Sequence, residues 1–116
     1  MIETLQQLTD LALRFRDARD WKQFHSPKEM ALCMAVECGE LLELMLWKQG
    51  DELKRHLRQH RRKIADELAD VLHALLLLAD EMELDLGAAF TRKMRKNQRK
   101  YPIHKARGSS RKYTEL

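Results

Sequence analysis

Glycine and proline are scarce: the 116 residues hold four of the first and two of the second. An all-β fold needs a turn signal about every 8–12 residues, and six such residues cannot supply them. Long hydrophobic runs are also missing. The longest uncharged stretch of the apolar region, Val71 to Ala79, has nine residues, against about 20 for a membrane-spanning helix; no membrane association is expected. The first ten residues carry acids and no apolar segment, so no secretory signal is expected. The only two cysteines, Cys33 and Cys38, lie five apart on one expected helix, point in different directions and cannot bridge each other. A reduced, cytoplasmic protein follows, with both thiols expected as small buried hydrophobes. There is no glycine-rich phosphate loop, no C-x-x-C pair and no serine or cysteine nucleophile motif.

What the chain does have is charge, at 34% of residues, and apolar content, at 44%. This is the balance of a globular chain. The net charge of +4 is unevenly spread. Leu86 to Thr114 contains ten Lys/Arg and no Asp/Glu, whereas residues 1–85 hold twelve Lys/Arg against seventeen acids. An acidic body suited to a cation and a basic segment suited to anions are implied.

Helical periodicity dominates. Leu5, Leu8, Leu11 or Ala12, and Phe15 predict a first helix from Glu3 to about Asp20. Ser26, Pro27 and Glu29 form a capping-box start for a second helix, expected to reach Gln49 with Gly50 as its stop. Asp51 to His60 reads as a short polar helical turn. A long helix is expected over Arg61–Glu81, with Ile64, Leu68, Val71, Leu72, Leu75 and Leu78 as its inner stripe. Asp85 caps a last helix, Leu86–Lys100, which Pro102 ends. The expected fold is an all-α bundle of four main helices over residues 1–102, with a basic, extended tail over 103–116. The apolar residues crowded on the second helix exceed what four helices cover alone, so an oligomer is expected.

Four carboxylates break the apolar pattern. Glu37 and Glu40 lie about 60° apart on one helix face, amid Ala, Leu, Cys, Met and Val. Glu67 and Asp70 repeat the spacing ahead of the apolar run 71–79. Unpaired buried carboxylates are costly, and facing pairs of oxygen ligands suit Mg²⁺, or Mn²⁺ as a substitute. Extended as a helix, the chain would bring Trp47 back to within about 20° of the Glu40 direction. A carboxylate-bridged di-iron bundle would need two Glu-x-x-His motifs, and only Asp70 with His73 comes near one.

The Glu37-x-x-Glu40 and Glu67-x-x-Asp70 pattern resembles the metal motif of MazG-like nucleotide pyrophosphohydrolases. The segment Arg19 to His25, the run Glu40 to Lys48, and the C-terminal string from Lys93 through Asn97, Lys100, Tyr101 and Pro102 to Arg107, Arg111, Lys112 and Tyr113 are similar to the dCTP pyrophosphatase branch. The resemblance implies Mg²⁺-dependent hydrolysis of a deoxynucleoside triphosphate to monophosphate and diphosphate by a homotetramer. It implies Glu37, Glu40, Glu67 and Asp70 as catalytic metal ligands. Trp21, Lys22, Gln23, Phe24, His25 and Trp47 would contact the nucleoside; Lys93, Asn97, Lys100, Tyr101, Arg107, Arg111 and Lys112 are the further substrate-binding candidates. The likeness departs at Ala12 and Ala74, where animal members of the branch carry histidine and tyrosine. Base preference therefore stays open between dCTP or a modified dCTP, dUTP, and a broad range. A non-catalytic helical oligomer binding nucleic acid or a small ligand is the alternative of a different class.

Overall fold

The computed structural model describes residues 3–116. Among these residues the chain is all-helical: α1 (Leu5–Ala18), a 3-10 turn (Lys22–Phe24), α2 (Pro27–Glu43), α3 (Gly50–Gln59), α4 (Arg61–Glu81), α5 (Leu86–Lys100), α6 (Ile103–Ala106) and a second 3-10 turn (Tyr113–Glu115). No described helix is long and apolar enough to cross a membrane. The chain divides into two compact units, Met1–Glu83 and Leu84–Leu116.

In the first unit α2 packs chiefly on α4, and α1 and α3 add smaller contacts to α4. Local chemistry fixes the helix starts. Thr4 Oγ1 accepts the Gln7 N–H at 3.1 Å while Gln7 Oε1 accepts the Thr4 N–H at 2.7 Å, a reciprocal capping box. Ser26 Oγ accepts the Glu29 N–H at 3.1 Å, with Pro27 opening α2. The core is small: Ala12, Met30 and Leu77 are buried together, with Leu13 and Leu78 packed against them.

Three sequence expectations need correction in this unit. First, α2 ends at Glu43, not near Gln49. Residues 44–48 continue as tight turns, in which Met45 N–H donates to the Leu42 carbonyl at 3.0 Å and Lys48 N–H to the Met45 carbonyl at 3.2 Å. Gly50 does not stop α2; it opens α3 with φ of 56°, a left-handed conformation that glycine adopts without strain. The expected polar turn is thus a ten-residue helix. Second, Leu68 and Leu72 of the expected inner stripe of α4 are exposed, and the buried residues are Glu67, Ala74, Leu76, Leu77 and Ala79. From Val71 to Ala79 the helix is apolar nearly all round, so periodicity could not orient it. Third, Cys33 and Cys38 are exposed, because α2 covers only the face it turns to α4. Its Leu32, Val36 and Leu42 are likewise open.

In the second unit Asp85 Oδ1 accepts the Ala88 N–H at 3.0 Å and starts α5, which Tyr101 and Pro102 end. The segment 103–116 is not extended throughout. Pro102 caps α6. The Tyr113 ring meets Tyr101 edge-on, with centroids 5.9 Å apart, and sits 4.6 Å from Lys100 Nζ. These aromatic and cation–π contacts return the chain to the end of α5.

Candidate active site

The two i, i+3 acid pairs face each other across the α2–α4 seam. Glu37, Glu67 and Asp70 each offer a carboxylate oxygen, and these oxygens lie within 4.8 Å of one another. Glu40 joins them from the next turn of α2. Hydrogen bonding to Glu37, then repulsion by its charge, then desolvation, and lastly Glu67 push the Glu40 carboxyl above the ordinary glutamate range. Glu67 is buried, and Lys63 Nζ, one turn earlier on α4, stands 3.2 Å from its Oε1. Buried Glu37 Oε2 and Glu67 Oε2 have no hydrogen-bond partner. Orphaned buried carboxylate oxygens converging from two helices fit a divalent cation, and the purely oxygen donor set fits a hard one.

A cavity of about 240 Å³ adjoins the acids. Glu37 and Asp70 line its mouth, and Phe15, Trp21, Met30, Ala74 and Leu77 form its apolar and aromatic walls. Phe15 meets Trp21 and His73 edge-on, each at 5.8 Å between centroids. The volume falls below the roughly 300–1,000 Å³ of sites that enclose whole ligands, so it suits a base and sugar whose phosphates lie outside. Polar groups are few: Arg16, His25, His73 and Cys33 complete the lining. Burial first, then the Arg16 charge, push the His25 imidazole below the ordinary histidine value, and its Nδ1 is buried without a partner. A neutral ring with a free nitrogen can read the polar edge of a base.

Arg16 holds this end of the cavity together. Its side chain is 5% exposed; Nε donates to Asp17 Oδ1 at 2.8 Å, and Nη1 lies 3.4 Å from Asp80 Oδ2 and 3.6 Å from Glu81 Oε1. Its carbonyl accepts the Trp21 N–H at 3.1 Å. That bond folds the segment after α1 back so that Trp21 and His25 face the cavity.

The expected site residues distribute unevenly. The four acids come together, and Trp21 and His25 line the cavity. Lys22, Gln23 and Phe24 form the 3-10 turn outside it, where Gln23 bonds Asp20 and Phe24 is exposed. Trp47 is not on α2. It sits in the following turn with φ of 63° and is 89% exposed, so the angular argument that aligned it with Glu40 does not hold. Lys93, Asn97, Lys100, Tyr101, Arg107, Arg111 and Lys112 belong to the second unit. There Arg111 shares an open cleft with Lys105, Gly108, Ser109 and Ser110. Sequence reasoning missed Phe15, Arg16, Met30, Cys33 and Leu77 as cavity residues. His73 carried a usable signal, since it lies three positions after Asp70 on the acid-bearing face.

Comparison with known proteins identifies the family. The family model described as MazG-like matches residues 32–116. Human dCTP pyrophosphatase 1 is 44% identical over 97% of this chain and 68% of its own length. The bovine protein of the same name is 41% identical over the same shares. A pyrophosphatase of known crystal structure from Archaeoglobus fulgidus superposes with a TM-score of 0.80 at 37% identity, covering 88% of this chain and 95% of its own. The family model, the identity to these relatives and the shared all-helical fold show that the chain belongs to the MazG-like family.

Proposed function

We propose that the protein hydrolyses deoxynucleoside triphosphates, with dCTP or a modified dCTP as the leading substrate, to the monophosphate and diphosphate, and so clears unwanted nucleotides from the cytoplasmic pool. The observation that carries this reading is the sharing of Glu37 and Asp70 between a carboxylate cluster and a nucleoside-sized aromatic cavity. The names of the mammalian relatives support the choice of dCTP. Ala74 leaves the cavity wall open beside Asp70, which favours tolerance of a larger or substituted base.

In this reading Glu37, Glu40, Glu67 and Asp70 hold Mg²⁺. The bound cation would neutralise phosphate charge and orient water near the α-phosphorus. The water oxygen forms a bond to that phosphorus, the bond to the bridging α–β oxygen breaks, and its electron pair leaves with the diphosphate. A carboxylate of the cluster takes the water's proton. Phe15, Trp21 and His73 orient the nucleoside, and Arg16 fixes the wall on which it rests. Without a cation the four carboxylates would repel a triphosphate of about four negative charges.

A panel of canonical and modified triphosphates, incubated with Mg²⁺ and analysed for both phosphate products, tests the reaction. Diphosphate and nucleoside monophosphate are expected in equal amounts, with a cytosine triphosphate turned over fastest. Orthophosphate as sole first product, with nucleoside diphosphate accumulating, would overturn attack at the α-phosphorus. Salt-sensitive DNA binding without turnover would favour the nucleic-acid alternative.

The exposed Leu32, Val36, Leu42 and Leu46 support assembly, with a homotetramer expected. Light scattering at micromolar concentration should give four times the 13.8 kDa chain mass. The double variant Leu32→Glu/Val36→Glu should lower that mass; a fully active monomeric wild type would contradict the assembly.

A further inference from the structure

The acid cluster has a second side. Glu37 and Asp70 face the nucleoside cavity, whereas Glu40 and Glu67 line a separate open cleft of about 500 Å³ with Glu43, Leu44 and Lys63. The cavity and the cleft share no lining residue, and the carboxylate cluster contributes to both; with the nucleoside in the cavity, the cleft is the candidate place for the leaving diphosphate.

Three of the cleft's five lining residues are acidic, and Lys63 is the cation among them. The Lys63 side chain is 59% exposed and held at its tip by Glu67, which is 7% exposed. The tie is an i, i+4 pair with one partner in solvent, a class that contributes little to stability and exchanges readily. Glu67 is also the carboxylate whose other oxygen is buried and unpartnered. One buried acid thus faces both a mobile ammonium group and the place where the acids converge.

We propose that Lys63 is an exchangeable counter-cation: it neutralises Glu67 in the metal-free protein, yields that carboxylate to the divalent ion, and then binds the departing diphosphate in the cleft. The proposal rests on the hydrolase reading above and adds a residue to it. It gives two effects of opposite sign. Lys63 opposes cation binding, because a like charge stands beside the site. It favours diphosphate binding, because an ammonium donates charge-assisted hydrogen bonds to phosphate oxygens. An ordinary surface ion pair beside the acids would produce the first effect alone.

The test is calorimetric titration of the chelator-treated full chain with Mn²⁺ alone, followed by titration of the Mg²⁺-saturated chain with inorganic diphosphate. Wild type, Lys63→Met and Lys63→Arg are compared. Lys63→Met should bind Mn²⁺ about three- to fivefold tighter and diphosphate about tenfold more weakly. Lys63→Arg, which keeps the charge, should stay near wild type in both. Unchanged Mn²⁺ affinity or unchanged diphosphate affinity in Lys63→Met overturns the proposal while leaving the hydrolase reading intact. Failure of the wild type to bind Mn²⁺ overturns the metal reading of the acids, and the role of Lys63 with it.

Discussion

Replacing Asp70 by asparagine is expected to remove turnover by about 1,000-fold or more, equivalent to roughly 4 kcal/mol of barrier, while the helices remain folded. Asp70 is exposed at the cavity mouth, so the change leaves no hole and strands no buried partner. It neutralises one of three carboxylates whose oxygens lie within 4.8 Å of each other. Glu40→Gln should have a similar effect on turnover and a distinctive one on the metal-free protein. The Glu40 carboxyl is raised, chiefly by Glu37, so between the unfolded and folded values the native state binds more protons than the unfolded state. Metal-free stability therefore falls as pH rises through that interval, and the loss is complete above the folded value. Gln abolishes this loss, so the metal-free melting temperature of Glu40→Gln should match or exceed wild type at neutral pH. Residual activity above about a tenth, only about 1.4 kcal/mol of barrier, in both variants would remove these acids from the chemistry.

Arg16→Met is expected to give the largest loss of stability in the first unit. The guanidinium is 5% exposed and stands among Asp17, Asp80 and Glu81, of which Glu81, at 16%, is the one poorly solvated. Removing one partner of a buried ion network leaves an uncompensated charge and costs about 3–5 kcal/mol. The lower figure applies here because Asp17 and Asp80 reach solvent. A loss of about 3 kcal/mol is a large part of a typical stability of about 5–15 kcal/mol. It should lower the melting temperature by about 10 °C or more. Adding Glu81→Gln should recover much of it, since the stranded charge is then gone. A single-variant loss below about 1 kcal/mol by chemical denaturation would show that solvent already screens the network.

Much of this arrangement is legible in the residues. Leu86–Lys100 matches its sequence expectation because strong signals bound it, Asp85 as a cap and Pro102 as a stop; Arg61–Glu81 matches too, although no side chain caps its start. The acid pairs could be read because carboxylates on an apolar helix have few cheap explanations. What failed is equally physical. The end of α2 was hidden because Leu44, Met45 and Leu46 are good helix formers, and only the observed turns and the left-handed Trp47 reveal the break. Nor could the inner face of α4 be fixed, since nearly every residue from Val71 to Ala79 is apolar. Arg16 was invisible as a buried residue, because an arginine among charged neighbours reads as solvated until its partners are seen in space.

The α2–α4 seam is both the strongest packing contact of the first unit and the line along which the carboxylates meet. Ligand affinity and cohesion are therefore drawn from one interface. Whatever occupies the carboxylates clamps two helices that a small core of Ala12, Met30 and Leu77 holds only modestly. By mass action, a ligand present at 100 times its dissociation constant adds about 2.7 kcal/mol to folding. Resistance to a protease should then track cation and nucleotide concentration, so that the survival of the molecule itself reports whether its substrate is present.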